Sequence, residues 1–246
     1  MKASALTAWL GQELGEAPED ASCNGLQYPG KKQVKKVGLA VDACLESFEL
    51  AEDAGCDYLI VHHGLFWEKD LPKKIDDYWK ARLDCLSRAG LSLYASHLPL
   101  DAHARYGNNA ELFRLLGLKR KTRFAEYKGT RIGFKGMLPK ALAAEEFAEK
   151  VSEALECDVR LLECGPKKVR EIGVCSGGGG FAARGVDCLV TGEFGHADFH
   201  GAVEAEVSVV EAGHYATETL GVKALGRAIK KKFKVETFFL DAPTGL

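Results

Sequence analysis

Short apolar runs alternate with amphipathic helical patterns along most of this chain, and no other feature narrows the fold as far. Strand patterns are expected over 36–41 (KVGLAV), 58–61 and 91–95, and helical patterns over 3–14, 45–54 and from Pro72 to about Arg88. Pro72 is expected to open that last helix and Gly90 to end it, with Ile75, Trp79, Leu83 and Leu86 as its apolar stripe. After Asn108 a helix carries Leu112, Leu115 and Leu116. The alternation then resumes, with strands over 131–138, 159–162, 169–175, 188–191, 207–210 and 235–240 and helices over 143–155 and 218–231. Such a sequence of elements predicts an α/β fold with largely buried sheets. The Lys- and Arg-rich stretch 119–130 is poor in apolar residues and is the expected seam, dividing the chain into α/β halves at 1–125 and 126–246.

At 246 residues the chain can bury a sizeable core without cross-links. Its eight cysteines form no C-x-x-C pair, and most sit among apolar neighbours. They read as reduced thiols packed as small hydrophobes, which points to a cytoplasmic protein and away from a disulfide scaffold or a cysteine-based zinc site. The first residues lack the continuous apolar core of a signal peptide, and no window approaches eighteen apolar residues, so no membrane partner is expected. A net charge of -2 gives nucleic acid no general attraction, and the basic runs 31–36 and 230–234 read as solvated faces.

The polar chemistry collects in three clusters, each after a short apolar strand. In YLIVHHGLFW (58–67), His62 and His63 end an apolar run. Side chains of a regular strand alternate faces, so both imidazoles serve one site only if the backbone turns there, as Gly64 permits. The alternative is one satisfied core histidine and one exposed one. In SHLPLDAH (96–103), Pro99 disfavours helix, so His97 and Asp101 are expected on a loop at a strand end. Here the alternative is a turn capped by the aspartate. In EAGHYATETLG (211–221), His214 and Glu218 are four apart and share a helix face; the alternative is a surface pair beside an N-cap from Thr217. In open α/β sheets, ligands bind at the carboxyl ends of strands. Together the clusters offer His62, His63, Asp101, His214 and Glu218, with His97 in reserve. Five or six nitrogen and oxygen ligands suit two divalent ions about 3.5–4 Å apart, and the absence of sulfur leaves Zn, Mn, Fe, Co, Ni or Mg open.

The motifs CNGLQ (23–27), VHHGLFW (61–67), HLPLDAH (97–103), GNNA (107–110), TGE (191–193) and AGHYATE (212–218) follow one another in an order that resembles the Nif-three-like family, whose members are often labelled GTP cyclohydrolase 1 type 2 homologs. The length resembles the short members, which lack an inserted domain. The resemblance implies two related, intertwined α/β domains with mixed sheets and a metal site between them. It implies a dinuclear centre ligated by His62, His63, Asp101, His214 and Glu218, with Glu218 bridging both ions and His97 a ligand or near neighbour. It further implies a toroidal homohexamer, a trimer of dimers.

The function expected on these grounds is that of a metal-dependent hydrolase acting on a nucleotide or another phosphate-bearing small molecule. A GTP cyclohydrolase-type activity is implied by resemblance only, since nothing in the sequence identifies a purine pocket. Glu193, His97 and His200 are the residues expected to move protons, Glu193 from a second layer around the metals. The rival expectation is a non-catalytic metal-binding or regulatory hexamer. A ring encircling DNA ranks last on charge. CSGGGG (175–180) reads as a tight turn or, less readily, as a phosphate cradle without a P-loop lysine. Asn24 is expected to hydrogen-bond near the site, and Tyr78 and Trp79 to belong to the core or to a subunit interface.

Overall fold

The computed structural model describes residues 1–17 and 19–246. The chain forms two compact units, Met1–Leu100 with Val222–Ala242, and Asp101–Gly221 with Pro243–Leu246.

The first unit opens with α1 (Ala3–Leu14), which buries Leu6, Leu10 and Leu14 at helical spacing. Strands β1 (Gly25–Tyr28) and β2 (Lys36–Asp42) follow. Helix α2 (Leu45–Asp53) is set by a capping box in which the Cys44 thiol accepts from Ser47 N and the Ser47 hydroxyl accepts from Cys44 N. Strand β3 (Tyr58–His63) lies between β2 and β4 (Ser92–Ala95), parallel to both, which is why its apolar residues run without interruption. Between β3 and β4, α3 (Asp77–Ala89) starts at Asp76, whose carboxylate accepts from Trp79 N, and ends at Gly90 in the left-handed region. The expected start at Pro72 is therefore corrected. Ile75 lies outside the helix and is 57 % exposed, whereas Trp79 and Leu83 do pack on the core built around Phe48, Leu59, Leu86 and Leu93.

Residues 97–101 also depart from expectation. Leu98–Asp101 forms one helical turn, α4, where a loop was expected. Pro99 is tolerated because the first turn needs no N–H there, and the Asp20 carboxylate accepts from Leu98 N, the task of a cap, from far along the chain.

In the second unit, α5 (Asn108–Leu115) precedes a long hairpin of β5 (Lys119–Tyr127) and β6 (Thr130–Ala143). The polar stretch at 119–130 is thus an exposed edge strand and its turn. Its lysines and arginines reflect an edge that must not pair further. The units divide in sequence not at that expected seam but at Leu100/Asp101, Gly221/Val222 and Ala242/Pro243. Next come α6 (Ala144–Leu155), β7 (Arg160–Leu162), β8 (Lys168–Cys175), a 3₁₀ turn at Gly180–Ala182 and β9 (Cys188–Thr191). Then follow α7 (His196–Glu204), β10 (Ser208–Glu211) and α8 (His214–Phe233). The sheet order is β5-β6-β8-β9-β10-β7, with β8, β9 and β10 parallel and the other pairs antiparallel. Phe113, Phe147, Val151, Ile172 and Val190 centre its core.

Helix α8 starts at His214, four residues before the expected Glu218, and its C-terminal part belongs to the first unit. Strand β11 (Glu236–Phe239) then pairs parallel with β2 and completes the first sheet as β1-β4-β3-β2-β11, with β1 antiparallel at the other edge. The architecture is α/β, with two mixed sheets flanked by helices. Among the described residues no helix is long and apolar enough to cross a membrane.

Candidate metal centre

The first unit collects three imidazoles at the carboxyl ends of adjacent strands. His62 and His63 close β3, and His97 follows β4. Both neighbours lie inside the strand, so the backbone turn expected at Gly64 is not what unites them. Their ring centroids are nonetheless 4.7 Å apart, and those of His62 and His97 are 5.1 Å apart. One ligating atom from each of the three lies within 4.8 Å of the others, the arrangement a metal ion requires.

Each ring is fixed from behind. His62 Nδ1 lies 3.0 Å from the Ser96 carbonyl oxygen, His63 Nδ1 2.8 Å from Asp42 Oδ1, and His97 Nδ1 2.8 Å from Asp20 Oδ1. Carbonyl and carboxylate oxygens only accept, so Nδ1 carries the proton in each ring and Nε2 is the ligating nitrogen of the neutral form. Burial works against the Asp20 charge, but hydrogen bonds from His97, Asn24 Nδ2 and Ser22 N, with the His97 charge, hold its carboxyl down at about 2. Asn24 Oδ1 accepts from His97 N, so the expected role of this asparagine is met by geometry. Gln27 of the same CNGLQ segment accepts from Leu65 N and Phe66 N and seats the turn after the histidines. A Cβ on Gly64 would overlap Gln27 Nε2, so glycine there serves close packing.

The second unit supplies the acids. Asp101 and Glu218 are both buried, and their ligating oxygens lie within 4.8 Å of one another. Asp101 Oδ1 accepts from Asn108 Nδ2 at 2.8 Å and from Ser176 Oγ at 3.2 Å. His214 and Glu218 stand one turn apart on α8, with His214 Nε2 3.1 Å from Glu218 Oε2 and His214 Nδ1 2.7 Å from Glu193 Oε1. Burial disfavours the imidazolium, but the carboxylates of Glu218 and Glu193 outweigh it and raise the His214 pKa to about 9. Thr217 is no N-cap: it sits inside α8, donates to Gly213 O and accepts from Gly177 N.

The glycine turn after β8 borders these acids. Gly177 has a φ of +60°, and a Cβ there would overlap Glu218 Oε1. Backbone N–H groups of Ser176, Gly177 and Gly179 donate to Asn109 Oδ1, Thr217 Oγ1 and Gly177 O. These three groups are committed within the fold, where they build the tight turn. Glu193 is joined to His214, but His200 is not brought to this cluster; it lies exposed on α7 with its ring edge-on to Phe199. Asp20 and Asp42 were missed by the sequence reading. Asp42 was within reach, since a polar residue ending the strand parallel to β3 falls opposite His63 in register.

Each set by itself suits a divalent cation: in the first unit imidazole nitrogens oriented by acceptors behind them, in the second buried carboxylates with a glycine where any side chain would fill the space beside Glu218. The family model described as Duf34/NIF3 (NGG1p interacting factor 3) matches residues 2–244. A Pyrococcus horikoshii protein called GTP cyclohydrolase 1 type 2 homolog is 46 % identical over 232 residues, 92 % of each chain. The solved structure of TTHA1606 from Thermus thermophilus superposes with a TM-score of 0.91 at 39 % identity, and that of protein ybgI, of unknown function, with 0.92 at 34 %, each covering 100 % of both chains. The chain therefore belongs to the Duf34/NIF3 family.

Proposed function

We propose that this chain is a metal-dependent hydrolase in which His62, His63, Asp101, His214 and Glu218 hold two divalent cations and act on a nucleotide or another phosphate-bearing small molecule. The observation that carries the reading is the common mounting of the histidines. His62, His63 and His214 each spend Nδ1 on an oxygen acceptor, which leaves Nε2 as the ligating nitrogen. When bound, two such ions polarise a phosphoryl or carbonyl oxygen and make water a nucleophile at neutral pH.

The chain's own groups divide the remaining work. Glu193 orients His214, whose Nε2 lies 3.1 Å from Glu218 Oε2, so both would offer a ligating atom to the same ion. His97, with Nδ1 held by the Asp20 carboxylate, keeps Nε2 for taking or giving a proton. The name shared by the relatives is a homology name and supports the substrate class only. A hexameric ring belongs to the proposal and is tested by light scattering.

The decisive experiment measures metal content of the purified protein and of His63→Ala and Glu218→Ala, beside turnover on a panel of nucleotides. The reading predicts close to two ions per chain, loss of metal in both variants, and metal-dependent hydrolysis. Metal loss without turnover on any member of the panel leaves the non-catalytic metal-binding reading in its place.

A further inference from the structure

A cavity of about 730 Å³ opens beside the start of α1 in the first unit, with Lys2, Ala8, Leu26, Pro29, Lys32 and Tyr58 in its lining. It lies at the amino ends of the parallel strands. Tyr58 begins β3 and His62 stands four residues on, about 13 Å away along an extended strand. The cavity is therefore a different place from the histidine cluster.

Its floor is built and closed. Tyr58 Oη and Thr7 Oγ1 are hydrogen-bonded at 2.8 Å, and Ser92 Oγ accepts from Gly30 N at 3.0 Å. A Cβ on Gly30 would overlap the Gly90 carbonyl, so the 29–31 segment is seated hard against the start of β4. These polar atoms satisfy one another and leave ring and methyl surfaces facing the space. Leu26 is 44 % exposed there. The charge around the rim is one-sided. The lining includes Lys2, Lys31 and Lys32 and no acid. Asp57 holds the Lys31 ammonium at 3.1 Å, while Lys2 and Lys32 form no ion pair among the described residues.

We propose that this cavity binds a small organic anion, with an apolar alkyl or aryl body against Ala8, Leu26 and Tyr58 and its anionic head between Lys2 and Lys32. The volume falls within the roughly 300–1,000 Å³ of ligand pockets. Apolar walls with two uncommitted cations at the mouth discriminate such a molecule both from neutral hydrocarbons, which gain nothing from the lysines, and from inorganic anions, which gain nothing from the walls.

The test is fluorescence titration of the full chain with 1-anilinonaphthalene-8-sulfonate, followed by displacement with octanoate and with octanol. One dye per chain is expected, displaced by octanoate and at least about fivefold less well by octanol. Ala8→Trp, which fills the cavity from the exposed face of α1, abolishes binding, and the double variant Lys2→Glu/Lys32→Glu weakens it at least about fivefold. Thermal melts of both variants check folding, and a milder Lys32→Ala serves if either is unfolded. Dye binding unchanged by the substitutions, or equal displacement by octanol, overturns the proposal. A change of oligomeric state in Ala8→Trp, with dye binding intact, overturns it in favour of contact between copies. None of these readouts depends on the metals.

Discussion

Asp42 Oδ1 stands 2.8 Å from His63 Nδ1, at the one position where the end of β2 faces the end of β3 in register. The contact fixes both the ring plane and the tautomer. Replacing Asp42 by alanine should leave the fold intact and lower divalent-metal affinity about 10- to 100-fold, the usual cost of losing a carboxylate behind a ligating histidine. Competition titration with a metal-sensitive dye measures it, and an unchanged affinity refutes the ligand role of His63.

Gly177→Ala should act twice. The added methyl would overlap Glu218 Oε1, and the positive φ of +60° disfavours any L side chain. A stability loss of about 1–3 kcal/mol is expected by urea unfolding, together with reduced metal content. Gly178→Ala is the control, because nothing lies within 4 Å of a Cβ there.

Asp57 predicts a pH dependence in the first unit away from the metals. Burial raises its pKa, but hydrogen bonds from Lys35 N, the Lys31 ammonium and Lys36 N more than offset that, so the folded-state value is depressed. Its contribution is therefore complete above the unfolded value of about 3.9 and is lost as pH falls through the folded value. Asp57→Asn should cost about 2 kcal/mol at neutral pH, with the gap to wild type closing on acidification below pH ~4. Urea midpoints across pH 2–7 decide the matter (range set by ordinary carboxylate titration, about 4).

Phe147 is fully buried at the centre of the second core. Phe147→Ala should destabilise by about 3–5 kcal/mol, read as a lowered denaturant midpoint. Leu115→Ala, at a position 43 % exposed, should change it little.

What the sequence disclosed followed from local periodicity and from composition at strand ends. The apolar runs at 58–61 and 188–191 became β3 and β9 because buried parallel strands need unbroken apolar sequence. The edge strands β1 and β5 escaped because GLQY and KRKTRFAEY lack the apolar runs that marked the other two edges, β7 and β11. Pro72 looks like a first-turn residue, but the capping of α3 is done by Asp76. His62, His63, His97, Asp101, His214 and Glu218 were legible as chemistry. The groups that orient the histidines were not: Asp20 lies 77 residues from His97, and only folding brings them together. His200, chosen from its motif, proves to face outward on α7.

Strand β11 pairs with β2, although some two hundred residues of chain separate them. During synthesis the outer edge of β2 thus stays open until residues 236–239 have left the ribosome. The histidine-bearing layer reaches its final width late, after the acid-bearing one has been translated in full. A truncation that removes β11 should leave the edge of β2 bare and yield a protein that sticks to itself.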